Sequence, residues 1–334
     1  MAYSNRCTIC TKGGTGMNTS INTVAGTISP GQLGRTLMHE HVYVEYGGAC
    51  PDSQCPGAVR DEIVAACTSR IREIQAFGVE SLVDPTTVDL GRNVSLMTEL
   101  AERTGITIIC ATGIYSVSAY LTMREHMGGP DAIAELFIRE LVEGIGDTGV
   151  RAGIIKVVTG QPAISLSERE LLLAAARASV ETGAPIITHT EGILGDEQQR
   201  ILTGAGVPAH RIVIGHSCIS RDFSYHRHVL QGGSYLGFDR FGMEPGMPDE
   251  VRAESMLRLI DAGYAPQLVV SHDSVWYWVG GPQTGAGAYE NWKPTNFFER
   301  VIPMLHYGGA TDGQIEEMLR ENPRRFFAGE RPAC

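Results

Sequence analysis

Short apolar runs recur along the chain, each followed by a longer stretch with helical periodicity. They fall at 36–44 (TLMHEHVYV), 81–87 (SLVDPTT), 106–115 (ITIICATGIY), 152–159 (AGIIKVVT), 185–191 (PIITHTE), 211–217 (RIVIGHS), 234–240 (SYLGFDR) and 267–274 (QLVVSHDS). Nearly continuous apolar runs of this length read as strands of a parallel sheet covered on both faces. Between them, 61–77, 131–145, 167–182 and 249–262 read as helices. The third opens on Ser167 with Glu170 three residues later, which predicts a capping box. Eight repeats predict an α/β fold, a (β/α)8 TIM barrel with its active site at the C-terminal ends of the strands. Residues 21–33 are expected to form a short N-terminal β-hairpin. A doubly wound open sheet is the runner-up, but no G-x-G-x-x-G follows the first strand. No Pro/Ser-rich linker divides the chain. Residues 21–334 are therefore expected to form one barrel domain, and 1–20 a polar, disordered extension.

Composition narrows the function classes. Of 334 residues, 43% are hydrophobic and 19% charged, which suits a globular chain, and the net charge of −11 argues against nucleic acid as a partner. No run of 18 apolar residues predicts a membrane span, and residues 1–20 lack the apolar core of a secretory signal. Eight scattered cysteines suit reduced thiols and a cytoplasmic location. Cys7 and Cys10 form a C-x-x-C with no second pair at zinc-ribbon spacing, and Cys50 and Cys55 sit in a Gly/Pro setting that reads as a turn.

Chemistry gathers at the strand ends. His39 and His41 flank Glu40, and side chains at i and i+2 of a strand leave the same face, so both imidazoles can reach one point. By the same alternation Glu40 points away and reads as a supporting or pairing residue. Asp84, Tyr115, Lys156, His189, His216, Asp239 with Arg240, and Asp273 follow at later strand ends. Four histidines and an aspartate exceed the needs of one tetrahedral zinc, so two metals with a bridging ligand are the natural reading. Lys156 lies in an apolar strand where an unpaired ammonium is costly. It is expected either to pair with an aspartate or, with its pKa depressed, to react with carbon dioxide and become a carbamate able to bridge two metals.

The ordered set His39-x-His41, Lys156, His189, His216 and Asp273 resembles the phosphotriesterase family of the amidohydrolase superfamily, in its lactonase and phosphotriesterase-related branch. The segments TLMHEHV, VDPTTVDLGRNV, ATGIY, DTGVRAGIIKV, GAPIITHT, RIVIGHS, YLGFDRFG and VVSHD are similar as well, over residues 21 to 328. The resemblance implies a binuclear metal-dependent hydrolase. His39, His41 and Asp273 would hold the more buried ion, and His189 with His216 the more exposed one. Carbamylated Lys156 would bridge both together with a hydroxide, which attacks the substrate. Asp273 would take the proton. Zn2+ heads the expected metals, with Mn2+, Co2+ and Fe2+ also suited.

The resemblance implies that Tyr115 and Arg240 occupy lactonase-branch positions beside the metals. Their alternatives are aromatic packing for Tyr115 and a salt bridge with Asp239 or Asp84 for Arg240. Ile219 stands where many relatives carry an aspartate of a proton relay, and Asp222 is out of register with it. Lactones or carboxylic esters are therefore the expected substrates, with secondary phosphotriesterase activity. An amide-bond hydrolase and a catalytically inactive binding barrel are the alternatives. Trp276, Trp278 and Trp292 cluster in the long segment after the last strand, either lining an apolar substrate pocket or forming a homodimer contact.

Overall fold

The computed structural model describes residues 20–47, 57–282 and 284–333. An antiparallel hairpin, β1 (Ile21–Thr23) and β2 (Gly26–Ile28), precedes the main sheet. It seats on the barrel floor, where the Asn22 amide donates to the carbonyls of Leu141 and Ala152. Eight parallel strands then follow in sequential order: β3 (Arg35–Leu37), β4 (Val79–Asp84), β5 (Thr107–Gly113), β6 (Ile154–Val158), β7 (Ile186–His189), β8 (Ile212–Ile214), β9 (Tyr235–Phe238) and β10 (Leu268–Val270). Between β3 and β10, the Met38 amide donates to the Val270 carbonyl, and isolated bridges join His41 to Val275 and Val44 to Trp278. The sheet is thus a nearly closed barrel, as the eightfold repeat predicts.

The helices between strands include α1 (Gly57–Gln75), α2 (Val94–Thr104), α3 (Val117–Met127), α4 (Pro130–Val142), α5 (Leu166–Thr182), α6 (Gly195–Gly204), α7 (Phe223–Gln231) and α8 (Asp249–Asp261). The capping box of α5 lies two residues before its predicted place. Ser165, with extended backbone, caps the helix and pairs with Glu168, because Ser167 is already helical. Glu170 instead accepts from Tyr120 and Arg124. No described helix is long and apolar enough to cross a membrane.

Strand alternation builds two apolar layers. Val83, Ile109, Ala111, Ile154, Ile187, Val213, Tyr235 and Val269 fill the barrel interior, closed below by Phe326 and Phe327. Their neighbours, such as Leu82, Ile108, Ile155 and Ile186, pack against the helices. The same parity continues upward: Lys156 is two residues beyond Ile154, His189 two beyond Ile187, and Asp239 two beyond Gly237. Two-residue periodicity therefore delivers each of these groups to the interior at the mouth.

Among the cysteines, Cys67, Cys110 and Cys218 are buried free thiols. Cys7, Cys10, Cys50, Cys55 and Cys334 lie outside the described residues, as does nearly all of the expected extension 1–20.

Candidate metal centre

The predicted strand 36–44 is regular only to Leu37, and both histidines lie in the bent continuation. That segment pairs with the chain leaving β10: the His41 amide donates to the Ser274 carbonyl, and the Asp273 amide to the His39 carbonyl. The His39 and His41 rings are 5.3 Å apart, His39 and His216 4.9 Å, and His189 and His216 4.4 Å. All four are buried, as are Lys156 and Asp273.

Each imidazole has one nitrogen engaged at the periphery. His39 Nδ1 is 3.0 Å from Asp239 Oδ2, and His216 Nδ1 is 2.9 Å from Asp239 Oδ1. His41 Nδ1 is 2.7 Å from Thr86 Oγ1, while His189 uses Nε2, 3.1 Å from Glu191. The remaining nitrogens of the first three rings turn towards Asp273. Nε2 of His39 and of His41 lie 3.2 and 3.1 Å from Oδ1, and His216 Nε2 lies 3.7 Å from Oδ2. Lys156 Nζ is 3.1 Å from His39 Nε2. Among the described residues, two triads could hold an ion, His39–His41–Asp273 and His39–His216–Asp239.

The electrostatics follow from burial and from these partners. Burial pushes the Lys156 ammonium down to about 8, against the pull of Asp273 and Asp239. Burial likewise lowers His189 to about 4 and holds His216 well below the usual histidine range. For Asp273, burial favours the neutral acid. His216, His39 and Arg240 outweigh it and keep the carboxyl well below its ordinary range. Asp239 is held low against burial by His216 and His39.

Around this cluster lies a cavity of about 100 Å3, whose wall includes Val44, Tyr46, Leu90, Tyr115, Met243 and Trp278. Tyr115 stands edge-on to His189 at 5.1 Å, so it reaches the cluster rather than packing remotely under a loop. Arg240 Nε donates to Asp273 Oδ2 at 2.9 Å, a partner different from the expected Asp239 or Asp84. Asp84 instead accepts the Val42 and Thr86 amides.

Trp276 does not line the cavity. Residues 275–278 run beside 41–44, so Val275 and Trp278 face the cavity while the Trp276 indole falls into the outer apolar layer and donates to Ser274 Oγ. Trp292 takes its place in the wall. Ile219 lies in a turn beside the mouth, and Asp222 caps α7. Sequence reading also missed Glu191 and Thr86, whose roles depend on loop geometry, and the bracing role of Asp239, which strand parity with Tyr235 would have revealed.

Comparison with known proteins agrees with this architecture. The Phosphotriesterase family profile matches residues 19–327. A phosphotriesterase homology protein of Mycobacterium tuberculosis is 37% identical over 316 residues, covering 92% of this chain and 97% of that protein. An aryldialkylphosphatase of Saccharolobus solfataricus is 34% identical over 310 residues, covering 90% of this chain and 97% of its own. A solved structure of a mutant PTE-like lactonase from Deinococcus radiodurans superposes with a TM-score of 0.86 at 38% identity, covering 92% of this chain and 99% of that one. Members of the family generally bind two divalent metals, and the described residues include candidate ligand groups for them. The chain belongs to the phosphotriesterase family of hydrolases.

Proposed function

We propose that the chain is a binuclear metal-dependent hydrolase of lactones or carboxylic esters, with phosphotriesters as slower substrates. One observation carries the metal reading: Nε2 of His39 and Nε2 of His41 stand 3.2 and 3.1 Å from the same Asp273 oxygen. Ligand atoms bound about 2.1 Å from one ion lie about 3–3.4 Å apart, so this spacing suits a shared cation. His39, His41 and Asp273 would hold one ion, His189 and His216 the other, and a carbamate of Lys156 both. Asp239 meets the Nδ1 atoms of two rings whose Nε2 atoms face Asp273, so it orients ligands rather than serving as one. When bound, the two cations supply polarisation of the substrate oxygen and a lowered pKa for water. Zn2+ is the proposed metal.

The chain's own groups do the rest. The free amine of Lys156 forms a nitrogen–carbon bond with carbon dioxide and releases one proton, leaving a carbamate with two donor oxygens. Asp273 is ionised at neutral pH and accepts the proton of the attacking water at its carboxylate, while Arg240 orients Oδ2. Burial raises the Tyr115 phenol, which therefore stays protonated and able to donate to the substrate oxygen. The walls of Val44, Leu90 and Trp278 suit an apolar acyl chain or ring. With Asp222 committed to a helix cap and Ile219 in the turn, no carboxylate from that turn is offered to a departing group. A lactone suits such a site because its leaving alkoxide stays tethered. The likeness to a lactonase and to an aryldialkylphosphatase supports both substrate classes as candidates.

The test is a hydrolysis panel on metal-replete protein: lactones, aryl esters, N-acyl amides and organophosphate triesters. Lactones should turn over fastest, with activity lost on chelation and restored by Zn2+. Faster cleavage of unactivated amides would overturn the substrate reading. Absence of both metal and hydrolysis would favour a binding barrel.

A further inference from the structure

Asp273 has φ 51°, in the left-handed region, where a non-glycine residue stays only if its surroundings hold it. Its sequence neighbours supply that hold through one carboxylate. Glu40 Oε1 accepts from Ser271 Oγ at 2.8 Å, from the His272 amide at 3.0 Å and from His272 Nδ1 at 2.6 Å, and Oε2 accepts from Ser274 Oγ. With Nδ1 donating, His272 Nε2 is an acceptor, and it receives the Phe297 amide at 3.0 Å. The His272 carbonyl accepts the Trp292 indole N–H at 2.9 Å. Both Glu40 and His272 are fully buried. A continuous set of hydrogen bonds therefore runs from the His39–His41 segment, around both flanks of Asp273, to the cavity wall at Trp292.

We propose that Glu40 and His272 are positioning residues forming one joint, which locks Asp273 and the Trp292 wall to the His39–His41 segment. Metal affinity and substrate fit are then set by the same buried pair. Such a network holds its members rigidly only when every one is satisfied. The proposal deepens the hydrolase reading of this cavity, but the contacts that define the joint stand without it.

The test uses the full chain with His272→Asn and Glu40→Gln, read by amide hydrogen exchange, Co2+ titration followed by visible absorption, and lactone kinetics. Asparagine keeps a donor at the Nδ1 position and lacks the acceptor for the Phe297 amide. In His272→Asn, exchange over 284–298 should rise about tenfold while 35–45 stays protected. KM should rise several-fold with little change in kcat, and the Co2+ band should be unaltered. In Glu40→Gln, both segments should exchange faster, the Co2+ band should change, and Co2+ affinity should fall about 10- to 100-fold. Wild-type exchange at either segment in Glu40→Gln, or an equal rise throughout α5 as well, would overturn the joint. Should Glu40→Gln not fold, Ser274→Ala removes one donor to Glu40 together with the acceptor of the Trp276 indole, and Trp276→Phe removes the indole bond alone. Faster exchange over 271–278 in Ser274→Ala than in Trp276→Phe would support the joint, and equal exchange in the two with a wild-type Co2+ band would overturn it. If the unmodified chain took up no Co2+, the hydrolase reading would fail while the exchange data still decided the joint.

Discussion

Lys156 shows how one side chain's chemistry depends on where strand parity sends it. It shares the inward face of β6 with Ile154 and rises to 3.1 Å from His39, fully buried. An ammonium there is costly, and its pKa falls to about 8. The competing sequence reading was an ion pair with an aspartate. In the structure Asp273 and Asp239 pull on the lysine, yet Lys156 Nζ has His39 Nε2 as its hydrogen-bond partner. Lys156→Ala should lose most of its bound metal and at least about 100-fold in rate, since an ion's ligand set is broken. Added formate or acetate should restore part of both. Full metal content and full rate without added carboxylate would rule out the carbamate.

At the scale of elements, neighbouring strands approach so closely that two positions tolerate only glycine. Gly113, at the end of β5 with φ 132°, lies against the Lys156 backbone, and a Cβ there would sit 1.8 Å from the Lys156 carbonyl oxygen. Gly215 meets the Thr188 carbonyl similarly, at 2.1 Å. Because the obstructing atom is backbone, it cannot swing aside. Gly113→Ala should therefore cost about 2 kcal/mol or more, read from the urea midpoint, and should displace β6 with its lysine. Strand existence and order were legible in the sequence because eight apolar runs keep parallel-sheet character. Boundaries were less so. The segment 38–44 reads as strand, yet beyond Leu37 it bends to pair with 274–279 instead of a regular neighbour. The α5 cap moved by two residues because two serines and two glutamates offered the same S-x-x-E spacing, and only the backbone chose between them.

Across the whole molecule, burying so many imidazoles couples folding to pH. His189 falls from the ordinary 6.5 to about 4 through burial, and His216 is also held low. A histidine kept neutral in the fold contributes stability that is fully present above about pH 6.5 and is lost as pH falls towards about 4, because the unfolded chain binds the proton first. His189 alone weakens the metal-free chain by about 1 kcal/mol per pH unit in that window, and His216 acts in the same direction. His39 acts in the opposite sense: burial and Lys156 lower its pKa, but Asp273 and Asp239 raise it above the usual value. Urea midpoints of the metal-free chain should therefore drop between pH 6.5 and 4. A flat profile there would show that these rings are not held neutral.

Sequence alone determined the repeat, and with it the barrel and the level at which chemical side chains emerge. Two-residue periodicity carries Lys156, His189 and Asp239 to the interior wherever the strands exist, and the spacing of His39 and His41 presents two rings together. It could not determine which atoms meet. The partner of Arg240, the exclusion of Trp276 from the cavity, the bracing of two imidazoles by Asp239 and the grip of Glu40 on 271–274 join residues up to 234 positions apart. Such contacts depend on how bent strand ends and their loops close over the mouth. That closure is a property of packing across the barrel, with no local signature in the chain.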